Sequence, residues 1–223
     1  MASYVALVIG STGAVGRDLV ADLVASAKCA KVIALARHDV PFLEWKSTFP
    51  SLDAEAAKSK LEVRKVDFDN LSESDIGIAD KIGAAFSCLG TTRKNAGSAE
   101  AFRKVDLDYV VKFAELCKAA NVPYFGLVTS QGANKDSWFL YPQTKGEVED
   151  KVLQMKFQRT SIFRPGMLQR GDLIRGTEKW FGWLVPGAHQ IKVKAVAKGM
   201  VFDYESDLEG IKEWSHADLK KFE

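Results

Sequence analysis

The apolar run Val5–Ile9 leads straight into the turn Gly10-Ser-Thr-Gly-Ala-Val-Gly16. The residues after it, Arg17–Ser26, place Leu19, Val20, Leu23 and Val24 at helical spacing. A strand that feeds a helix through glycines at 10, 13 and 16 is the opening unit of a parallel α/β sheet. The first glycine permits a tight turn, the second lets a phosphate approach the backbone, and the third lets the helix pack against the strand. The helix N-terminus adds unpaired N–H groups and the positive end of a dipole, so the turn is suited to an anion. A bland βα turn can also carry three glycines. Their place between an apolar run and an amphipathic helix favours the phosphate site.

The rest of the chain repeats the strand–helix alternation. Expected strands are Val5–Ile9, Lys31–Ala36, Leu61–Val66, Ala84–Leu89, Tyr124–Thr129 and Thr160–Phe163. Expected helices cover Ala99–Ala120, Pro142–Met155 and Lys194–Phe202, with a further one near Asp207–Trp214 and an irregular stretch at Val40–Lys60. Such alternation predicts a doubly wound, Rossmann-type α/β fold. A single domain over residues 1–223 is expected, with its core in 1–166 and a small C-terminal lobe in 167–223.

With 223 residues, 47% apolar and 27% charged, the chain can bury one substantial core. A net charge of +2 without a long basic run gives no sign of nucleic-acid binding. No integral membrane segment and no secretory leader are expected. Cys29, Cys88 and Cys117 are odd in number and far apart, which predicts buried thiols in a reducing compartment and neither disulfide nor zinc. His38, His189 and His216 lack metal-ligand spacing.

Tyr141-Pro-Gln-Thr-Lys145 puts a phenol and an ammonium four residues apart, on one helix face. An ammonium beside a phenol makes it a better proton donor or acceptor. Pro142 is tolerated in a first helical turn. Ser130 stands at the carboxyl end of the fifth strand, where open α/β sheets bind ligands, and its hydroxyl can hold a carbonyl beside Tyr141. Arg93 and Lys94 belong either to a solvated loop or to an anion contact. The Trp180–Trp183 cluster forms either lobe core or a substrate pocket.

The order of strand, GSTGAVG, later Ser and YxxxK resembles the short-chain dehydrogenase/reductase superfamily. The stretches FSCLGTTRKNAGSAEAFRKVDLDYV, LVTSQGAN, YPQTKGEVE and SIFRPGML are similar to the Tat-interacting, oxidoreductase-like proteins of its atypical branch. The resemblance covers most of Val5 to Gly166 and continues weakly to the C-terminus. It implies NADP(H) in a Rossmann fold. Gly10, Ser11, Thr12, Gly13, Val15 and Gly16 match the pyrophosphate loop. Arg37 matches the adenosine-ribose position, where an Arg accommodates the 2′-phosphate of NADP, although Asp39 lies two places on. Asp67 and Phe68 fall at the adenine contact, Leu89, Gly90 and Thr91 where the fourth strand passes the cofactor, and Pro165 and Gly166 near the carboxamide, with Met167 and Leu168 beyond. Ser130, Tyr141 and Lys145 match the catalytic set, with Lys145 also on the nicotinamide ribose.

Two functions are compatible with these residues. One is an NADPH-dependent reductase of a small carbonyl substrate; the other is an NADPH-binding regulator that acts through a protein partner, as some members of the family are described. A cytoplasmic location, with nuclear presence, is expected.

Overall fold

The computed structural model describes residues 3–77, 81–169, 190–206 and 208–223. Its first unit is β1 (Tyr4–Ile9), the glycine turn and α1 (Ala14–Ala25). The helix starts three residues earlier than the apolar spacing alone suggests, so Gly16 lies inside its first turn. There a Cβ would stand 2.1 Å from the Gly10 carbonyl oxygen. Gly10 has φ +73°, a left-handed conformation that a side chain disfavours.

The strands β2 (Cys29–Ala36), β3 (Leu61–Lys65), β4 (Ile82–Ser87), β5 (Tyr124–Val128), β6 (Arg159–Phe163) and β9 (Gly210–Trp214) join β1 in one sheet of order β3-β2-β1-β4-β5-β6-β9. Every pairing in it is parallel. A short second sheet pairs β7 (Met167–Gln169) with β8 (Gln190–Lys192). The doubly wound architecture expected from the alternation is the one observed.

Period-two alternation divides the buried residues between the two faces. Ala6, Val8, Val32, Ala34 and Phe86 pack with Leu19, Val20 and Leu23 of α1 and with Val196 and Met200 of α9 (Val193–Glu205). Leu7, Ile9, Ile33, Leu35, Phe125 and Ile162 face α7 (Tyr109–Ala119) and α8 (Leu140–Gln154) through Val110, Phe113, Val148 and Val152. Strands covered on both sides read as nearly continuous apolar runs.

The irregular stretch expected at 40–60 is observed as short pieces: a 3-10 turn (Phe42–Glu44), α2 (Trp45–Thr48) and α3 (Ala54–Ala57). Three features differ from the sequence expectation. After α4 (Glu73–Ile76) and α5 (Arg93–Ala96), the long helix expected at 99–120 is α6 (Ala99–Arg103), a π-helical turn (Lys104–Asp108) and then α7. Near 207–214 a strand forms instead of a helix, followed by α10 (His216–Lys220). Edge strand β9 has exposed or half-buried residues throughout, so no apolar alternation marks it. It is fixed on β6 by the fully buried Asp203 of α9, which accepts hydrogen bonds from Tyr124 (2.8 Å), Ser161 (2.6 Å) and Trp214 (2.7 Å) and pairs with Arg159. Third, strand boundaries shift by one or two residues, as at β2, which starts at Cys29. Trp180, Trp183 and His189 lie outside the described residues.

Cys29 and Cys117 are buried, Cys88 is half-buried, and all three are free thiols. Burial pushes the Cys29 thiol up to about 11 and that of Cys88 up to about 12, so neither is a ready nucleophile. No helix among the described residues is long and apolar enough to cross a membrane.

Candidate functional site: a trough along the carboxyl ends of the strands

The strand order reverses between β1 and β4, and open α/β sheets form a ligand crevice at that point. Three adjoining cavities follow it. The first, about 520 Å³, has Ser130, Tyr141, Lys145, Pro165 and Gly166 around it and reaches Gly13 and Val15. The second, also about 520 Å³, runs past Gly10, Thr12, Gly13, Leu89, Gly90 and Thr91 to Arg37 and Phe68. The third is lined by Arg37, Lys65, Asp67, Phe68 and Tyr109. Shared wall residues make one trough of them: Gly13, Leu89, Gly90 and Thr91 join the first two, and Arg37, Phe68 and Tyr109 join the second to the third.

At the glycine turn, the Gly13 N–H donates to the Gly10 carbonyl at 3.0 Å, which closes the turn beneath α1. Ser11 is fully buried, and its hydroxyl donates to the Leu35 carbonyl at 2.7 Å. Its side chain therefore ties the turn to β2 and does not face the trough. Gly16 is likewise a packing residue, placed against Gly10. Gly10, Thr12, Gly13, Ala14 and Val15 are the members of the turn that line the cavities.

Tyr141 and Lys145 share the first turns of α8, which begins at Leu140 and carries Pro142 in its first turn. The helix can seat there because residue 146 is glycine. A Cβ at Gly146 would lie 2.0 Å from the Lys135 nitrogen. Tyr141 is 44% exposed, its ring stacked on Phe102 at 5.7 Å, and its hydroxyl makes no hydrogen bond among the described residues. The Ser130 hydroxyl is buried in the cavity wall and likewise has no hydrogen-bond partner. An orphaned buried hydroxyl and an uncommitted phenol lining one cavity are an arrangement that a ligand oxygen satisfies.

Lys145 is held by a residue that the sequence reading missed. Its ammonium lies 2.7 Å from the carboxylate of Asp106, and both side chains are almost fully buried. The second Asp106 oxygen accepts the Thr91 N–H at 2.8 Å. Burial alone would lower the Lys145 pKa, but the Asp106 charge outweighs it and the pKa is raised, so the lysine stays charged. The π-helical turn carries Asp106 into this position, and such turns recur at functional sites. Gly90 lies over the pair: a Cβ there would stand 3.6 Å from the Lys145 nitrogen.

Pro165 and Gly166 form the far wall, and three contacts brace them. The Gln131 N–H donates to the Pro165 carbonyl at 2.8 Å, and the Gly166 N–H donates to His216 Nδ1 at 3.0 Å. Arg164 makes a bidentate bond to Glu149, which also accepts from Thr129, and a second pair with Glu213. Met167 and Leu168 continue this wall.

At the other end, Asp67 caps a 3-10 turn by accepting the Asp69 N–H (2.9 Å) and Asn70 Nδ2 (2.7 Å). Asp69 pairs with Lys104 at 2.6 Å and accepts from the Tyr109 hydroxyl, and both contacts lower its pKa. Arg37 is exposed and has no ion-pair partner among the described residues. Glycine turn, uncommitted cation, buried aromatic rim and buried lysine together fit a dinucleotide. Arg93 and Lys94 sit in α5, neither buried nor lining these cavities. No metal-binding group of His, Cys, Asp or Glu occurs among the described residues.

No family model matches the chain. Rat HTATIP2 is 39% identical over 168 residues, 72% of this chain and 61% of that protein. FMP52 of Lodderomyces elongisporus is 34% identical over 183 residues, 80% of this chain and 72% of its own length. The chain spans 61% and 66% of the first two relatives, rat HTATIP2 and FMP52-1 of Scheffersomyces stipitis. Among solved structures, a UDP-N-acetylglucosamine 4-epimerase from Methanobrevibacter ruminantium superposes with a TM-score of 0.69 at 16% identity, covering 96% of this chain and 77% of that one. A short-chain dehydrogenase/reductase from Mycobacterium ulcerans gives 0.65 at 17%, covering 98% and 91%. At such identities the likeness is one of fold. The fungal relatives carry mitochondrial in their names, which overturns the cytoplasmic expectation; composition and cysteine spacing do not encode an organelle. The sequence relationship to HTATIP2 and FMP52, on a seven-stranded Rossmann-type sheet, places this chain in their family of atypical short-chain dehydrogenase/reductases.

Proposed function

We propose that the chain is an NADP(H)-dependent oxidoreductase that reduces a small carbonyl compound. One observation carries the reading: the unpartnered hydroxyls of Ser130 and Tyr141 and the charged Lys145 line a single cavity, continuous with a trough that ends at Arg37. Thr12, Gly13 and the N-terminus of α1 would hold the pyrophosphate, Lys145 the nicotinamide ribose and Arg37 the 2′-phosphate. A bound nicotinamide supplies hydride chemistry. Ser130 donates to the carbonyl oxygen and orients it. Tyr141 donates its phenolic proton to the alkoxide that develops there, and the Lys145 ammonium favours that charge. Asp106 holds the ammonium in place.

The test follows NADPH oxidation optically with a panel of small aldehydes and ketones. Tyr141→Phe should keep cofactor affinity and lose turnover by about a hundredfold or more, the usual scale of a missing general acid. Unchanged turnover in the variant refutes the role of Tyr141.

A second reading is that the chain binds NADPH and acts through a protein partner. It is favoured by Trp138 and Phe139, 99% and 77% exposed three and two residues before Tyr141. Partner binding that requires NADPH and ignores Tyr141→Phe would support it over the enzyme.

A further inference from the structure

Asp67 and Asp69 line the third cavity and Asp39 lies on the segment that carries Arg37 into it, so three carboxylates stand near the place where a 2′-phosphate would sit, and each is committed to a protein donor. Asp67 caps its own turn, and Asp69 is held by Lys104 and Tyr109. Asp39, two residues beyond Arg37, is paired with Lys65 Nζ at 3.2 Å. Lys65 ends β3, in register with Ala36, the last residue of β2, so the parallel pairing itself brings Lys65 to the rim beside Arg37. Without Lys65, Asp39 would be a free anion on the segment that carries Arg37. It would repel a phosphate or compete for the guanidinium.

We propose that Lys65 is a specificity-determining residue for a 2′-phosphorylated adenosine, and that it acts by tying Asp39 away from Arg37. The inference rests on the reading of the trough as an NADP(H) site. Both side chains are more than half exposed, so their coupling is a modest, salt-screened effect and substitutions there leave the core intact.

The probes are adenosine 2′,5′-bisphosphate and adenosine 5′-monophosphate, which differ only in the 2′-phosphate. Each is titrated calorimetrically into the full chain and into Lys65→Ala, Asp39→Asn, the double variant and Arg37→Ala. The preference for the bisphosphate should fall roughly fivefold in Lys65→Ala, the scale of an exposed charge pair. It should stay level or rise in Asp39→Asn and return to within about twofold of the parent in the double variant. A preference unchanged by Lys65→Ala, or lost there and not restored by adding Asp39→Asn, overturns the inference. If Arg37→Ala abolishes a preference that Lys65→Ala leaves intact, the NADP(H) reading survives without it. A parent chain that shows no preference overturns both.

Discussion

Removing the Asp106 carboxylate should cost this fold more than any surface change. Asp106 is fully buried, lies 2.7 Å from the Lys145 ammonium, and accepts the Thr91 N–H. Asp106→Ala leaves a buried cation without its counter-ion and a backbone donor without its acceptor. Breaking a buried pair from one side costs about 3–5 kcal/mol, with about 1 kcal/mol more for the lost hydrogen bond. For a chain of this length each kcal/mol shifts the melting point by roughly 2–4 °C, so a drop of about 8–24 °C is expected. The cost should be greatest near pH 6 and shrink toward pH 9, because in the variant burial is no longer opposed by Asp106, lowers the Lys145 pKa and lets the lysine shed its charge, whereas the pair in the parent stays intact over this range. A lysine whose pKa is raised on folding contributes stability below its unfolded pKa and loses it only as pH rises through the folded value, which here lies above the ordinary lysine range. Urea denaturation and calorimetric titration of NADPH, on parent and variant, check both consequences. A stability loss under about 1 kcal/mol with undiminished cofactor affinity would refute the account of the pair as the anchor of Lys145.

Two further outcomes follow from the same geometry. Gly13→Val should abolish NADPH binding in a calorimetric titration while leaving the circular dichroism spectrum near that of the parent, because a branched side chain there holds a phosphate away from the backbone; retained binding would make the turn merely structural. Asp22 of α1 is half-buried, with one carboxylate oxygen buried and without a partner, and that burial pushes its carboxyl up to about 6. A carboxyl with a raised folded pKa makes stability fall as pH rises from about 4 to about 6. Asp22→Asn should therefore melt higher than the parent at pH 7.5, with the difference vanishing below about pH 4; a pH-independent difference would contradict this.

What could be read from the sequence was what local spacing encodes. The strand–glycine turn–helix unit, the apolar central strands and the pairing of Tyr141 with Lys145 on one helix face all depend on residues within a few positions of one another. Asp106 could not be read this way. It sits in an apparently regular helical pattern, and only the π-helical turn at 104–108 directs it to a lysine almost forty residues on. The substitution of a strand for a helix at 210–214 has a similar cause. β9 is a half-exposed edge strand whose position is fixed by the buried Asp203 rather than by its own pattern. Ser11 illustrates the opposite case. A residue at a matching motif position turns its hydroxyl into the core, where it donates to the Leu35 carbonyl of the neighbouring strand, a contact that local spacing does not encode.

The most direct test of the account is the ratio of NADPH to NADH affinity in the unmodified chain, by calorimetric titration. A charge-assisted contact from Arg37 to the 2′-phosphate contributes about 1.5–3 kcal/mol, which predicts a preference for NADPH of roughly ten- to a hundredfold. Arg37→Glu should abolish or reverse it. Equal affinities in the unmodified chain would contradict the assignment of the trough to NADP(H).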